Sequence, residues 1–460
     1  MNKFEIKKIL DIAIPSLIAW IGHAMYSIVD NVMVSKILGS KALAITGMAT
    51  AFYFILLVFG IGASSIIVAL VSESFAKDGY KKERPLAKIV QNSLLFCFIM
   101  GVATSLVLAF AMEAIIPLIN KQSHLNEDIK SFLAILIPGP TFIIVFFGLE
   151  RVCEGVNRAR FSMYSVLICN VINAILNYCF LTGSFGFPNL GVNGASFASV
   201  SASFFEVVFI LTFIYRDKIT REAMRFKVKY FSKKEFVKIA KLGLPGGFVT
   251  FSESVAFNIT GFFASKVSVY DVASHQLLVW GVNTLIAPIF GLAFAVTARI
   301  AYNVAEGKDE LAFKIGVYSI FSTLIYTIFV LGLFNFFKMP LISSAFKGGE
   351  EDLITIGLMI SAFSVVFFAE IVDGIQIIVG AILRGYKDTK IHMFFAVISY
   401  WGFCVPLSYY FGVIKLYGIS GIWFGIGVGL FIQAVLTLLR FYFKFKPRKL
   451  HLKLGYGKLN

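Results

Sequence analysis

Residues 272–298 read VASHQLLVWGVNTLIAPIFGLAFAVTA, 27 positions without an Asp, Glu, Lys or Arg. At 1.5 Å rise per residue a helix of that length is about 40 Å long, more than the roughly 30 Å of bilayer hydrocarbon. The run is too long for a core strand and does not alternate as a barrel strand does. Residues 42–72, 89–112 and 391–414 are also free of all four charged types. The whole chain agrees: of 460 residues, 58% are hydrophobic and 15% charged, with mean hydropathy +0.83. Soluble domains run near 45–50% apolar and about 25% charged. In hydrocarbon each backbone N–H and C=O needs a partner within the protein, so these runs are helices. The sequence predicts an all-α polytopic membrane protein and leaves little room for a soluble enzyme, a nucleic-acid binder or a secreted scaffold.

Cutting at charged and Gly/Pro-rich breaks gives twelve transmembrane spans, starting near residues 11, 44, 89, 130, 161, 191, 237, 273, 310, 353, 391 and 417. Lys3, Lys7 and Lys8 precede a long apolar run with no small-residue cleavage site after it, which reads as a retained first span rather than a signal peptide. With both termini inside, 34 of the 42 Lys and Arg fall on the inner side, among them Lys81, Lys82 and Arg151, while Lys36, Lys41, Lys121, Lys130, Lys266, Lys338, Lys347 and Lys415 fall outside. That bias follows the positive-inside rule and predicts a multi-pass protein of the cell inner membrane with cytoplasmic termini. It also explains the net charge of +16 without nucleic acid. Cys97, Cys153, Cys169, Cys179 and Cys404 show no C-x-x-C spacing and read as small buried hydrophobes.

The basic stretch near the middle divides the chain. The expected domains are an N-terminal six-helix lobe (1–215), a basic cytoplasmic linker (216–236), a C-terminal six-helix lobe (237–443) and a basic cytoplasmic tail (444–460). An offset of 230 lays Lys3, Glu5, Lys8 and Pro15 on Lys233, Glu235, Lys238 and Pro245, Ser35-Lys36 on Ser265-Lys266, and Gly155 on Gly385. The ordered series predicts two six-helix repeats of like orientation around a central cavity, an arrangement found in transporters.

Five acids fall well inside the spans by this cutting: Asp30, Glu206, Glu253, Glu370 and Asp373, with no Lys or Arg counted at the same depth. A charge there needs a proton, a cation or polar neighbours for compensation. His23, Tyr26, Ser27 and Asp30 form a polar stripe at spacings of three and four; so do Asn170, Asn173 and Asn177, and Ala195 stands four before Ser199. If these faces meet, one carboxylate and several neutral oxygens suit Na+ at Asp30; the asparagines also fit as interhelical glue. Glu253, Asp373 and Glu370 form a second candidate cation site, or a pair sharing a proton, while Glu206 reads as structural. His23 and Tyr26 are candidates for the substrate cavity. Without a G-x-x-x-x-G-K-[ST] stretch, ATP does not drive the chain directly.

Ile14-Pro15, Val29-Asp30-Asn31-Val32-Met33-Val34, Leu38-Gly39, Leu244-Pro245 with Glu253, Ala273-Ser274-His275-Gln276, and Asp373-x-x-Gln376 leading to Leu383-Arg384-Gly385 resemble multidrug and toxic compound extrusion (MATE) transporters over nearly the whole chain. The resemblance implies efflux of organic, mostly cationic compounds in exchange for Na+ or protons. It implies a coupling-cation site at Asp30 with Asn173, Asn177, Ala195 and Ser199, and a second cation site at Glu253 and Asp373 as in the NorM-like branch. Asn177 stands where the DinF-like branch carries a second Asp, and Ser199 where Thr is common. Pro15 and Pro245 are helix-bend candidates, since bending of the first helix is proposed to couple ion binding to drug release in the family; near a span's inner end each also fits a helix start.

The expected protein is therefore a monomeric secondary antiporter working by alternating access, not an enzyme, with no cofactor beyond its coupling ion, Na+ or H+. Its partners are small organic cations and the lipid bilayer, with no nucleic acid and no ATP. The rival reading is a lipid-linked oligosaccharide flippase of the related two-lobe fold, which would call for Arg or Lys facing an anionic pyrophosphate. A receptor or scaffold without transport is the more distant one.

Overall fold

The computed structural model describes residues 3–78, 83–119, 123–225, 227–345 and 350–447, and all regular structure among them is helical. Helix α1 (Lys3–Leu38) is followed by a crossing split into α2 (Ser40–Ser64) and α3 (Ile67–Asp78), then by α4 (Glu83–Ile119). Helices α5 (Ser123–Leu136) and α6 (Gly139–Gly155) make a bent pair, with a 43° break at Ile137 and Pro138. Helices α7 (Arg160–Thr182) and α8 (Val192–Arg216) complete the first repeat, and the short α9 (Lys218–Ala223) follows. The second repeat holds α10 (Lys233–Val267), α11 (Val269–Ala305), α12 (Asp309–Ala345) and α13 (Glu350–Gly385). Its next rod joins α14 (Thr389–Val397) to α15 (Val405–Tyr409) through a π-helical stretch at Ile398–Cys404 and ends in a second at Tyr410–Ile414, and α16 (Gly418–Phe445) is last.

Ten of the described helices are long and apolar enough to cross a membrane, eleven with the bent pair taken as one span. The remaining rod, α10, carries Lys233, Lys234, Glu235, Lys238 and Lys241 in its opening turns. Several helices start before the first uncharged residue, because charged side chains in an end turn reach water while the backbone stays helical. Lys81, Lys82, Lys121, Lys347 and residues 448–460 of the expected tail lie outside the described residues.

Contacts divide the chain into two units, Ile14–Phe248 and Met1–Ala13 with Val249–Asn460. The divisions fall inside α1 and α10, close to Pro15 and Pro245, and both prolines lie more than ten residues into continuous helices rather than at helix starts. In the 14–248 unit the expected linker is held to α4. The Asn92 amide donates to Tyr230 O at 2.9 Å, Ser232 N–H donates back to Asn92 Oδ1 at 3.1 Å, and Gln91 bonds the backbone at Arg225 and Lys227. In the other unit, Gly421, Gly425 and Gly429 make a stripe at four-residue spacing on α16, and the α14–α15 rod packs on it. A Cβ on Gly421 would lie 2.6 Å from the Phe411 carbonyl carbon, so this close backbone approach requires hydrogen alone.

The repeat shows in the backbone. After α6, Arg158 N–H bonds Cys153 O at 2.7 Å and Asn157 takes φ 62°; after α13, Asp388 N–H bonds Leu383 O at 2.8 Å and Lys387 takes φ 61°. Each turn is tied to the sixth helical rod of its own repeat by an ion pair of opposite sense. Arg158 Nε reaches Asp217 at 3.3 Å, whereas Asp388 receives Arg440 Nε at 2.8 Å and Lys444 at 3.0 Å. Burial pushes the Asp217 carboxyl upward, but Thr220 N–H and Arg158 outweigh it and hold the group below its usual range. Burial likewise opposes, and Arg440 and Lys444 overcome, the shift that keeps Asp388 low.

Candidate functional site

Three helices of the 14–248 unit bring Asp30, Asn173, Asn177, Ala195 and Ser199 together. Asn177 Nδ2 on α7 donates to Asp30 Oδ1 at 2.6 Å and to Asn173 Oδ1 at 3.2 Å. Ser199 Oγ on α8 stands 2.9 Å from both Asp30 Oδ2 and its own Ala195 carbonyl oxygen. A serine hydroxyl has one hydrogen, so it serves one of these acceptors at a time. When Asp30 is ionised, Ser199 donates to it; when Asp30 carries a proton, that proton goes to Ser199 Oγ and the serine hydrogen to Ala195. Asn173 and Asn177 are fully buried, and Asn173 Nδ2 and Asn177 Oδ1 have no hydrogen-bond partner. Turning the Asn177 amide would present its oxygen beside the carboxylate, as a hard cation requires. Asn170 instead donates to Gly22 O at 3.0 Å and ties α7 to α1.

The acids of the Met1–Ala13 and Val249–Asn460 unit also gather. Glu253 on α10 lies within electrostatic reach of Asp373 on α13, and Tyr400 sits beside Glu253. Gln376 Nε2 donates to Asp373 Oδ1 at 3.2 Å and takes a bond from Gln433 of α16 at 3.1 Å. Glu370, one turn before Asp373, points Oε2 without a hydrogen-bond partner and lines a cavity of about 10 Å³ with Tyr326, Thr327 and Ile289, room on the order of one water. Among the described residues no three His, Cys, Asp or Glu side chains gather as a metal-binding group, so Na+ here would depend on neutral oxygens.

A second polar cluster in the 14–248 unit corrects the sequence reading. Arg151, counted there among inner-surface residues, is 1% exposed, and its guanidinium bonds Glu154 Oε2 at 2.7 Å and meets Glu150 at 3.3 Å. Ser16 of α1 donates to the other Glu154 oxygen at 2.7 Å. The error has a physical source: α6 runs to Gly155, so these charges are the last turn of a buried helix rather than a loop. Glu206 is 4% exposed, with His23 Nδ1 3.9 Å away and Tyr26 beside it. His23 and Tyr26, the candidates for a substrate cavity, thus flank this acid. The three-residue spacing of Arg151 and Glu154 was the available signal.

The MatE family profile matches this chain twice, over residues 15–179 and again over 245–410. The probable multidrug resistance protein NorM of Agrobacterium fabrum is 26% identical over 446 residues, covering 95% of this chain and 93% of that protein. The multidrug resistance protein MdtK of Yersinia pseudotuberculosis is 24% identical over 454 residues, 96% of each. Among solved structures, the eukaryotic MATE transporter AtDTX14 superposes with TM-score 0.86 at 18% identity over 96% of both chains. A MOP superfamily transporter from Pyrococcus furiosus does so with 0.82 at 20% identity over 95% of each. A profile matched once per repeat, on a chain of long apolar helices with buried acids in both units, defines a multi-pass membrane transporter and not an enzyme. The chain belongs to the multidrug and toxic compound extrusion (MATE) family.

Proposed function

We propose that this protein is a secondary active antiporter of the cell membrane that exports organic, mostly cationic compounds in exchange for Na+ or H+ by alternating access, with both termini cytoplasmic. The observation that carries the reading is the setting of Asp30, whose two oxygens are each met by a neutral donor, Asn177 and Ser199. Neutral donors can yield to an incoming proton or cation, whereas a fixed Arg or Lys would neutralise the carboxylate permanently. Glu253 and Asp373 supply a second cation station, and the likeness to the multidrug resistance proteins NorM and MdtK supports drugs as cargo.

The test is efflux of a cationic dye from proteoliposomes under an imposed Na+ gradient or pH gradient, each alone. Asp30→Asn is expected to abolish ion-driven efflux. Full ion-driven efflux in that variant would sink the reading.

A further inference from the structure

Ser16, His23 and Asp30 stand seven residues apart on α1, which turns them to one side of the helix at intervals of about 10 Å. Each meets a different set of acids or is one. Ser16 bonds Glu154, His23 faces Glu206, and Asp30 is the carboxylate held by Asn177 and Ser199. From Asp30 to Ser16 the stripe covers about 21 Å of a hydrocarbon core roughly 30 Å thick. Tyr26, one turn from Asp30, lies against Glu206 and within electrostatic reach of Asp30.

The middle station is built but incomplete. Glu206 Oε1 and His23 Nε2 are buried without hydrogen-bond partners, and the 3.9 Å between His23 Nδ1 and Glu206 is too long for a direct bond. The groups facing Glu206 are His23 and Tyr26 from α1, Cys169 from α7 and Glu150 from α6, with Arg151 of α6 facing His23. Among the described residues Arg151 pairs with both Glu150 and Glu154, and no Lys or Arg ion pair is seen at Glu206. Buried negative charge in excess of its partners is a place to hold protons.

We propose that this stripe is a proton track, in which the His23–Glu206 pair is a second proton-binding station between Asp30 and the Glu150–Arg151–Glu154 group. The proposal rests on Asp30 as the coupling carboxylate. In the step, the O–H bond of protonated Asp30 breaks as its proton passes to a water that links it to the buried Tyr26 hydroxyl; that water gives a proton to the Tyr26 oxygen, and the Tyr26 proton passes to Glu206. Asp30 ends ionised, Tyr26 unchanged and Glu206 protonated, so no other reactant is needed. His23, 3.9 Å from Glu206, is the polar neighbour that faces the acid as its charge changes.

The experiment measures the initial rate of dye efflux driven by a pH gradient, across a range of pH, with the full-length protein in proteoliposomes. Glu206→Gln is expected to slow proton-driven efflux about tenfold or more and to flatten its pH dependence, with recovery in Glu206→Asp. His23→Gln is expected to move the pH profile, and it decides the matter if the glutamate variants do not fold. A wild-type rate and profile in Glu206→Gln, or an unmoved profile in His23→Gln, would overturn the track. So would efflux that follows a Na+ gradient and ignores a pH gradient, which leaves the Asp30 reading standing. Full drive in Asp30→Asn would instead defeat that reading, and this one with it.

Discussion

Replacing Ser199 with alanine distinguishes the two coupling ions by the sign of its effect. The hydroxyl lies 2.9 Å from Asp30 Oδ2 and 2.9 Å from Ala195 O, with one hydrogen to give. Toward ionised Asp30 it makes a hydrogen bond to a charge, worth about 1.5–3 kcal/mol; with Asp30 protonated its bonds are neutral ones, worth about 0.5–1.5 kcal/mol. Ser199→Ala therefore costs the ionised form about 1–1.5 kcal/mol more, and a proton is held roughly five- to tenfold more tightly. Sodium responds the other way: it loses an oxygen ligand, and a loss of about 1.5–3 kcal/mol weakens binding roughly 10- to 100-fold. The assay is dye efflux in proteoliposomes as a function of pH without Na+ and of Na+ at fixed pH. A half-maximal pH moved upward identifies the proton, and a raised Na+ requirement identifies sodium. Unchanged dependence on both would refute the reasoning, because the contact at 2.9 Å would then have no part in binding either ion.

Arg151→Met leaves Glu150 and Glu154 buried without their cation and is expected to destabilise the protein by about 3–5 kcal/mol, with partial recovery on adding Glu154→Gln. The check is the denaturation midpoint in detergent, and a wild-type midpoint for the single variant would contradict the buried pairing. The two loop aspartates predict an acid-sensitive contribution. Their carboxyl groups are held below the ordinary value of 3.8, so the stabilisation is complete above that pH and disappears as pH falls through the lowered values. Asp217→Asn or Asp388→Asn is expected to lower the thermal midpoint slightly at neutral pH, the stability lost being less than about 1 kcal/mol for partly exposed pairs. Each variant also loses part of the further drop in strong acid, and a parallel acid profile in both would exclude these pairs as the source.

The repeat was legible because its turns require one backbone. Gly155 and Gly385 fall at the same offset, and the following turns have matching hydrogen bonds and matching positive φ at Asn157 and Lys387. What linear alignment obscures is that Arg158 and Asp388 do the same mechanical work with opposite charge, each holding its turn to the last helical rod of its repeat. Compared letter by letter they are a mismatch; an ion pair needs only that one partner be of each sign. Asn173 and Asn177 share a face by spacing alone. That this face meets Asp30 is a matter of tertiary packing between residues 147 apart, which no local pattern encodes.

Arg151 was obscured for a related reason. Charge in a helix's last turn looks like the start of a loop unless something buries it, and what buries Arg151 includes α1, through Ser16 to Glu154 across 138 residues. The same helix then meets Glu206 through His23 and presents Asp30 to α7 and α8. Because α1 continues past Pro15 as one rod, the interval between these three positions is fixed by helix pitch rather than by loop geometry. The proline removes one backbone bond only at the end of the stripe before Ser16. A bend there would leave the interval from His23 to Asp30 intact. An ion bound at Asp30 can therefore influence such a bend only by moving α1 as a whole or through the acids lying between them.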